Sequence, residues 1–141
     1  AEMERSLVLI KPDAVDRSLG GAIIGRMEGL GLRLVALRML QMDEELAQEH
    51  YAIHKDKPFF SGLVKYITSC SIVAAVFEGE QAVEEIRRAM GPTDPAKAEA
   101  GTIRGDFGID IERNAIHGSD SVVTAEAEIR LFFSEDEVFG Y

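Results

Sequence analysis

The chain has 141 residues, enough for one domain spanning 1–141 with a substantial core that needs neither disulfides nor a metal staple. Its 25 acidic against 15 basic residues give a formal charge of -10, which repels nucleic-acid phosphates and anionic membranes and excludes both as main partners. The single cysteine, Cys70, rules out an internal disulfide and multi-cysteine zinc patterns, and the charged opening Ala1-Glu2-Met3-Glu4-Arg5, with no apolar run of membrane-spanning length, leads us to expect a cytoplasmic protein.

Ser6 to Lys11 is a nearly continuous apolar run closed by Pro12-Asp13, the pattern of a central strand buried on both faces, with Lys11 at its exit. Gly20-Gly21 open a helix in which Ile23, Ile24, Met27 and Leu30 recur at three- and four-residue spacing, and Gly31 closes it. Arg33 to Met42 alternates as a second strand. Asp43 caps the next helix, Glu44 and Glu45 oppose the positive end of its dipole, and it carries His50 and Tyr51. Lys55 to Pro58 break that helix, and Phe59, Phe60, Leu63, Val64 and Ile67 continue as another. A helical hairpin between strands is the expected result.

Ser71 to Phe77 is a further buried strand, turned by Glu78-Gly79. Gln81 to Met90 is a helix with Val83, Ile86 and Met90 as its buried stripe. At about 100° per residue Arg87 falls roughly 40° from that stripe, near enough to lean into a pocket, while Arg88 faces water. After Gly91-Pro92 the segment Thr93 to Phe107 has little periodicity and is expected to be a long loop, functional or disordered. Asn114, Ala115, Ile116 and His117 read as a strand end, Gly118 as the residue that turns the chain, and Ser119, Asp120 and Ser121 as helix caps. The last helix runs from about Val122 to Phe133 on Ala125, Ile129 and Phe132, with Glu128 bordering the stripe. Apart from the hairpin this is the βαββαβ order of the ferredoxin-like α+β architecture, a four-stranded antiparallel sheet covered on one face by helices.

No Walker loop, dinucleotide-binding glycine fingerprint or glycine-rich kinase loop is present, so a nucleotide would be held by side chains. Gly105-Asp106-Phe107-Gly108 contains Asp-Phe-Gly without its companion signatures, and His50 and His54, four apart, lack a third metal ligand at motif spacing; both are assigned to chance. Phosphoryl transfer needs cations, in-line positioning and one nucleophile. Lys11, Arg87 and Arg104 supply charge against the acidic background, Thr93 a hydroxyl, and His117 an imidazole whose ordinary pKa of about 6.5 leaves it largely neutral at physiological pH. Taken singly, each also reads as a structural or solvated residue, and His117 as an incidental histidine on a surface turn.

The local words decide between these readings. Ile10-Lys11-Pro12-Asp13, His50-Tyr51, Pro58-Phe59-Phe60-Ser61-Gly62-Leu63-Val64, Gly101-Thr102-Ile103-Arg104-Gly105-Asp106-Phe107 and Asn114-Ala115-Ile116-His117-Gly118-Ser119-Asp120-Ser121 occur in this order. Together they resemble the nucleoside diphosphate kinase family from about Ser6 to Phe133. The resemblance implies ping-pong transfer of a γ-phosphate between nucleoside tri- and diphosphates, ribo and deoxyribo, through a phosphohistidine at His117. It further implies that Glu128 and Ser119 support the imidazole, and that Arg87, Thr93 and Arg104 contact phosphates. Lys11 and Asn114 would hold the ribose, with Tyr51 beside Lys11 and the phosphohistidine. Phe59 would stack on the base near Leu63 and Ile111, giving broad base specificity. Magnesium (Mg2+) would be held mainly by nucleotide oxygens and water, with no protein metal site.

The sequence departs from the family pattern after Thr68-Ser69, where Cys70-Ser71 replaces the usual Gly-Pro. Its end at Tyr141 is similar to the short bacterial and archaeal forms, which implies a homo-oligomer, tetramer or hexamer, with a dimer as a further alternative. The rival reading, a ferredoxin-like binding module without chemistry, would not need His117 and Glu128 together. A scaffold surface around Asp94 and Pro95 is a third alternative.

Overall fold

The computed structural model describes residues 3–141, so Ala1 and Glu2 of the charged opening lie outside the described residues. The first apolar run begins earlier than expected, as strand β1 (Met3–Ile10). It is followed by β2 (Arg33–Leu40), β3 (Ile72–Glu80) and β4 (Ile116–Gly118). The strands lie in the order β2-β3-β1-β4, every neighbouring pair antiparallel, which is the ferredoxin-like arrangement. β1 and β3 occupy the centre. None of the described helices is long and apolar enough to cross a membrane.

Both faces of the sheet are covered, which corrects the expectation of a one-sided layer. Val8, Ile10, Val73, Ala75 and Phe77 pack on one face against Ile23 and Met27 of α2 (Gly20–Gly29, after α1, Pro12–Asp16). The sequence reading had no helix at α1, which Pro12 starts at its first turn with φ already fixed. On the other face Leu7, Leu9, Ile72, Ala74 and Val76 pack against the hairpin helices α3 (Glu44–His50) and α4 (Phe60–Ile67). Because strand side chains alternate, a run apolar at every position must be covered twice. The inserted hairpin supplies that second cover, together with Phe132 of the last helix.

The first face also receives Ala82, Ile86 and Met90 of α5 (Ala82–Met90). Beyond it, the expected loop from Thr93 to Phe107 is largely ordered. Asp94 accepts the Ala96 N–H at the start of a short 3-10 turn, Pro95–Lys97, and Thr102 accepts the Gly105 N–H to cap α6 (Ile103–Phe107). Five residues are too few to display a helical period, so the capping residues were the usable signal. The last helix is α7 (Val122–Phe132), capped by Ser121, which accepts the Thr124 N–H at 3.1 Å.

Gly118 corrects a second expectation. It is the last residue of β4, still paired with Val8, and does not turn the chain. A Cβ there would stand 2.5 Å from Met90 Sδ and 3.2 Å from Ile86 Cγ2, so the glycine admits α5 close to the strand.

Candidate active site

The left-handed residue near β4 is Ala115, at φ 74°. With the Ile116 N–H donating to the Asn114 carbonyl at 2.9 Å, it forms a γ-turn of the rare positive-φ kind. Such backbone costs an alanine about 1–3 kcal/mol and persists only where its surroundings over-determine it. Here they do. The Lys11 N–H donates to the Ala115 carbonyl at 2.9 Å, and the Ala115 N–H donates to Asp13 Oδ2 at 3.0 Å. Buried Asp13 also accepts the Tyr66 hydroxyl at 2.5 Å. Arg104 donates from Nη2 to the Ile116 carbonyl at 2.8 Å and from Nη1 to the Gly91 carbonyl at 3.2 Å. The turn is thereby clamped to the start of α1 and to α6, and it delivers His117.

His117 stands opposite Leu9 in β4, with its side chain 25% exposed. Its Nε2 lies 3.0 Å from Glu128 Oε2 on α7, and Ser119 Oγ donates to Glu128 Oε1 at 2.6 Å while accepting the Leu7 N–H at 3.2 Å. Burial raises the Glu128 pKa, but hydrogen bonds from His117 and Ser119 outweigh it and hold the carboxyl below its usual range. An ionised carboxylate only accepts, so Nε2 carries the proton and Nδ1 keeps a free lone pair.

His50, on α3, is the partner that sequence reasoning missed. Weighed only against His54, it is instead edge-on to the His117 ring, with centroids 4.8 Å apart, and packs against Tyr51 and Phe132. Both its ring nitrogens are buried without a hydrogen-bond partner. Desolvation and nearby His117 push its pKa down to about 3, so it adds no charge beside His117 at neutral pH. The usable signal was its position three residues after buried Ala47, on the same helix face. Burial and the Glu128 charge push the neighbouring Tyr51 hydroxyl up to about 12.

A second group gathers at the turn. Lys11 Nζ donates to Asn114 Oδ1 at 2.9 Å and to the Glu112 carbonyl at 2.7 Å, and Asn114 Nδ2 donates to the Thr93 carbonyl at 3.0 Å. Burial lowers the Lys11 pKa to about 8, against the pull of Asp13. Arg104 falls to about 10 through burial and then the nearby Arg87 charge. Arg87 itself is half-exposed and pairs with Asp120 at 2.7 Å. The contacts that knit these groups do not reach Phe59, Leu63 and Ile111. Phe59 precedes α4, 51% exposed, with its ring 5.5 Å from that of His54; Leu63 follows one turn later, and Ile111 is exposed before the γ-turn.

Among the described residues, His50, His117 and Glu128 are the trio of His, Cys, Asp or Glu near enough to share one ion. Two of its three donors are nitrogen, a set ill-suited to magnesium, which takes oxygen ligands. The buried carboxylate among the described residues, Asp13, is committed to Tyr66, Ala115 and Arg17.

This arrangement lies within a recognisable family. A family model described as "Nucleoside diphosphate kinase" matches residues 4–138. The chain belongs to the nucleoside diphosphate kinase family. A Dehalococcoides mccartyi protein named nucleoside diphosphate kinase is 64% identical over 139 residues, 99% of this chain and 98% of that one. The structure of a halophilic nucleoside diphosphate kinase from Halobacterium salinarum in complex with CDP is 48% identical with a TM-score of 0.96, covering 99% of this chain and 93% of that chain. The Aquifex aeolicus nucleoside diphosphate kinase gives a TM-score of 0.95 at 40% identity, covering 98% of this chain and all of its own. Where this chain departs from the nucleoside diphosphate kinase pattern, at Cys70-Ser71, hydroxyls just upstream close the helix end: Thr68 Oγ1 donates to the Val64 carbonyl at 2.8 Å and Ser69 Oγ to the Tyr66 carbonyl at 2.5 Å.

Proposed function

We propose that the chain is a magnesium-dependent nucleoside diphosphate kinase that moves a γ-phosphate by a ping-pong route, with His117 Nδ1 as the nucleophile. The observation that carries this reading is the Glu128 carboxylate on His117 Nε2, itself oriented by Ser119. Nδ1 attacks the γ-phosphorus in line, the Nδ1–P bond forms as the bond to the β-phosphate oxygen breaks, and the nucleoside diphosphate leaves. The ring gains positive character while its proton stays on Nε2, and Glu128 stabilises that charge without taking the proton. The incoming diphosphate reverses the step.

Arg87, Thr93 and Arg104 serve the phosphates in this reading. Arg87 is free to do so because its bond to Asp120 is an exposed pair of little net worth, exchanged for phosphate at small cost. Lys11 and Asn114, already hydrogen-bonded, hold the ribose, and Tyr51 packs against His50, whose ring in turn meets that of His117. Exposed Phe59 offers a face on which any base can stack, and in this reading Leu63 and Ile111 lie near that base. Magnesium would be held mainly by nucleotide oxygens and water rather than by side chains of this chain, and when bound it would supply neutralisation of charge on the transferring group. Leu37 and Met39, exposed on the edge strand β2, support assembly of several copies.

The test is incubation with γ-labelled ATP and magnesium. An acid-labile, base-stable protein phosphate that empties into added GDP, and that is absent from His117→Ala, is the expected result. Undiminished exchange by His117→Ala would overturn it.

A further inference from the structure

We propose that His50, His117 and Glu128 form a binding site for a borderline-soft divalent ion such as Zn2+, distinct from the nucleotide-borne magnesium, and that the ion arrests the enzyme by taking His117 Nε2. The starting point is His50. Its side chain is 1% exposed, yet neither ring nitrogen has a hydrogen-bond partner, a state that native interiors rarely tolerate without something to supply one. His50 Nδ1 lies 3.7 Å from Glu128 Oε2, Oε2 lies 3.0 Å from His117 Nε2, and the ligand atoms all fall within 4.8 Å of one another. Zinc ligands sit about 2.0–2.1 Å from the metal, so neighbours in a tetrahedron stand roughly 3.3 Å apart. Small rotations of the two rings close this trio on one ion, with water in the fourth position. Two imidazoles and a carboxylate favour zinc, copper or nickel over magnesium, so the two ions do not compete for the same donors.

The consequence rests on the preceding reading of His117 Nδ1 as the nucleophile. With Glu128 as acceptor, the ring proton resides on Nε2. A metal needs the Nε2 lone pair, so that proton leaves, and the neutral ring takes one from water at Nδ1. Net protonation is unchanged. The lone pair that attacks phosphorus is now engaged in an N–H bond, so the ion traps the imidazole in its unreactive tautomer.

The test titrates nucleotide-free protein with ZnCl2 in excess magnesium by calorimetry, comparing wild type with His50→Phe, which keeps a ring against Phe132, and with His50→Gln. We expect one zinc per chain in the wild type and binding at least about tenfold weaker in both variants. Nitrogen NMR of the wild type should show the His117 proton move from Nε2 to Nδ1 as zinc saturates. Circular dichroism checks that the variants fold; should either not, the other variant and the wild-type spectra decide. Absence of stoichiometric zinc, affinity untouched by the His50 substitutions, or an unchanged tautomer at saturation would each overturn the proposal. Phosphorylation measured without zinc tests the nucleophile separately, so the two failures are distinguishable.

Discussion

Replacing Glu128 by Gln keeps the volume of the side chain and removes its charge. In the structure both carboxylate oxygens are used, Oε2 at 3.0 Å from His117 Nε2 and Oε1 at 2.6 Å from Ser119 Oγ. A glutamine can still accept from Nε2 with its carbonyl, but its amide then points at Ser119, whose hydroxyl is left with the Leu7 carbonyl at 3.5 Å as an acceptor. Two charge-assisted bonds in a mostly buried site become one neutral bond and one mismatch, a loss of about 1.5–3 kcal/mol. In the proposed mechanism the charge on the ring develops only as phosphorus is attacked, so that loss falls on the transition state. It corresponds to about a ten- to hundredfold slower phosphorylation. Single-turnover rapid quench with γ-labelled ATP reads the rate directly, and nucleotide binding should change little. A Glu128→Gln protein phosphorylated at the wild-type rate, or one defective only in nucleotide affinity, would refute the assigned role.

Three further outcomes follow from packing and charge. Gly118→Ala drives a Cβ to 2.5 Å from Met90 Sδ in a full core and should cost about 1–3 kcal/mol in urea unfolding; an unmoved midpoint would mean that α5 gives way. His50, with a folded pKa near 3 against an unfolded value near 6.5, stays neutral in the native state while the unfolded chain binds a proton. Its stabilising contribution is therefore complete above about pH 6.5 and lost as pH falls toward 3, about 2 kcal/mol by pH 5, and the stability of His50→Phe should fall less steeply over that interval. Ser121→Ala removes the cap of α7 and should lower stability by about 1 kcal/mol, seen as a lower melting temperature.

The sheet was legible because β1 and β3 are apolar at consecutive positions, a pattern that only a doubly covered central strand satisfies. The same pattern excluded a one-sided layer, a consequence that the hairpin made visible. His117 and Glu128 were legible as a word and a helix position, and their meeting required α7 to fold back across β1. What stayed hidden depends on contacts between distant residues. Asp13 reaches the Ala115 N–H across 102 positions, and Lys11 reaches Asn114 across 103. No local propensity places an alanine at positive φ, and although helical spacing from Ala47 puts His50 on the buried face, its role comes from the ring it meets on another element. Gly118 looked like a turn because glycine is permissive, whereas its missing side chain is what matters.

These hidden contacts share a physical logic. Lys11 and Arg104 are buried cations, and among the described residues neither forms an ion pair with a carboxylate. Their donors go instead to neutral oxygens of Asn114, Glu112 and Ile116, which build and flank the γ-turn, and of Gly91 at the end of α5. Carbonyls fix the geometry without cancelling the charge, so the strained turn is held and the positive field remains available to an anion. A carboxylate in the same place would stabilise the empty fold more and a bound phosphate less. Strain at Ala115 and the buried cations Lys11 and Arg104 are therefore two aspects of one arrangement: the cations donate their hydrogen bonds to backbone and amide oxygens around the turn that carries His117, and in the proposed function they remain available to a phosphate.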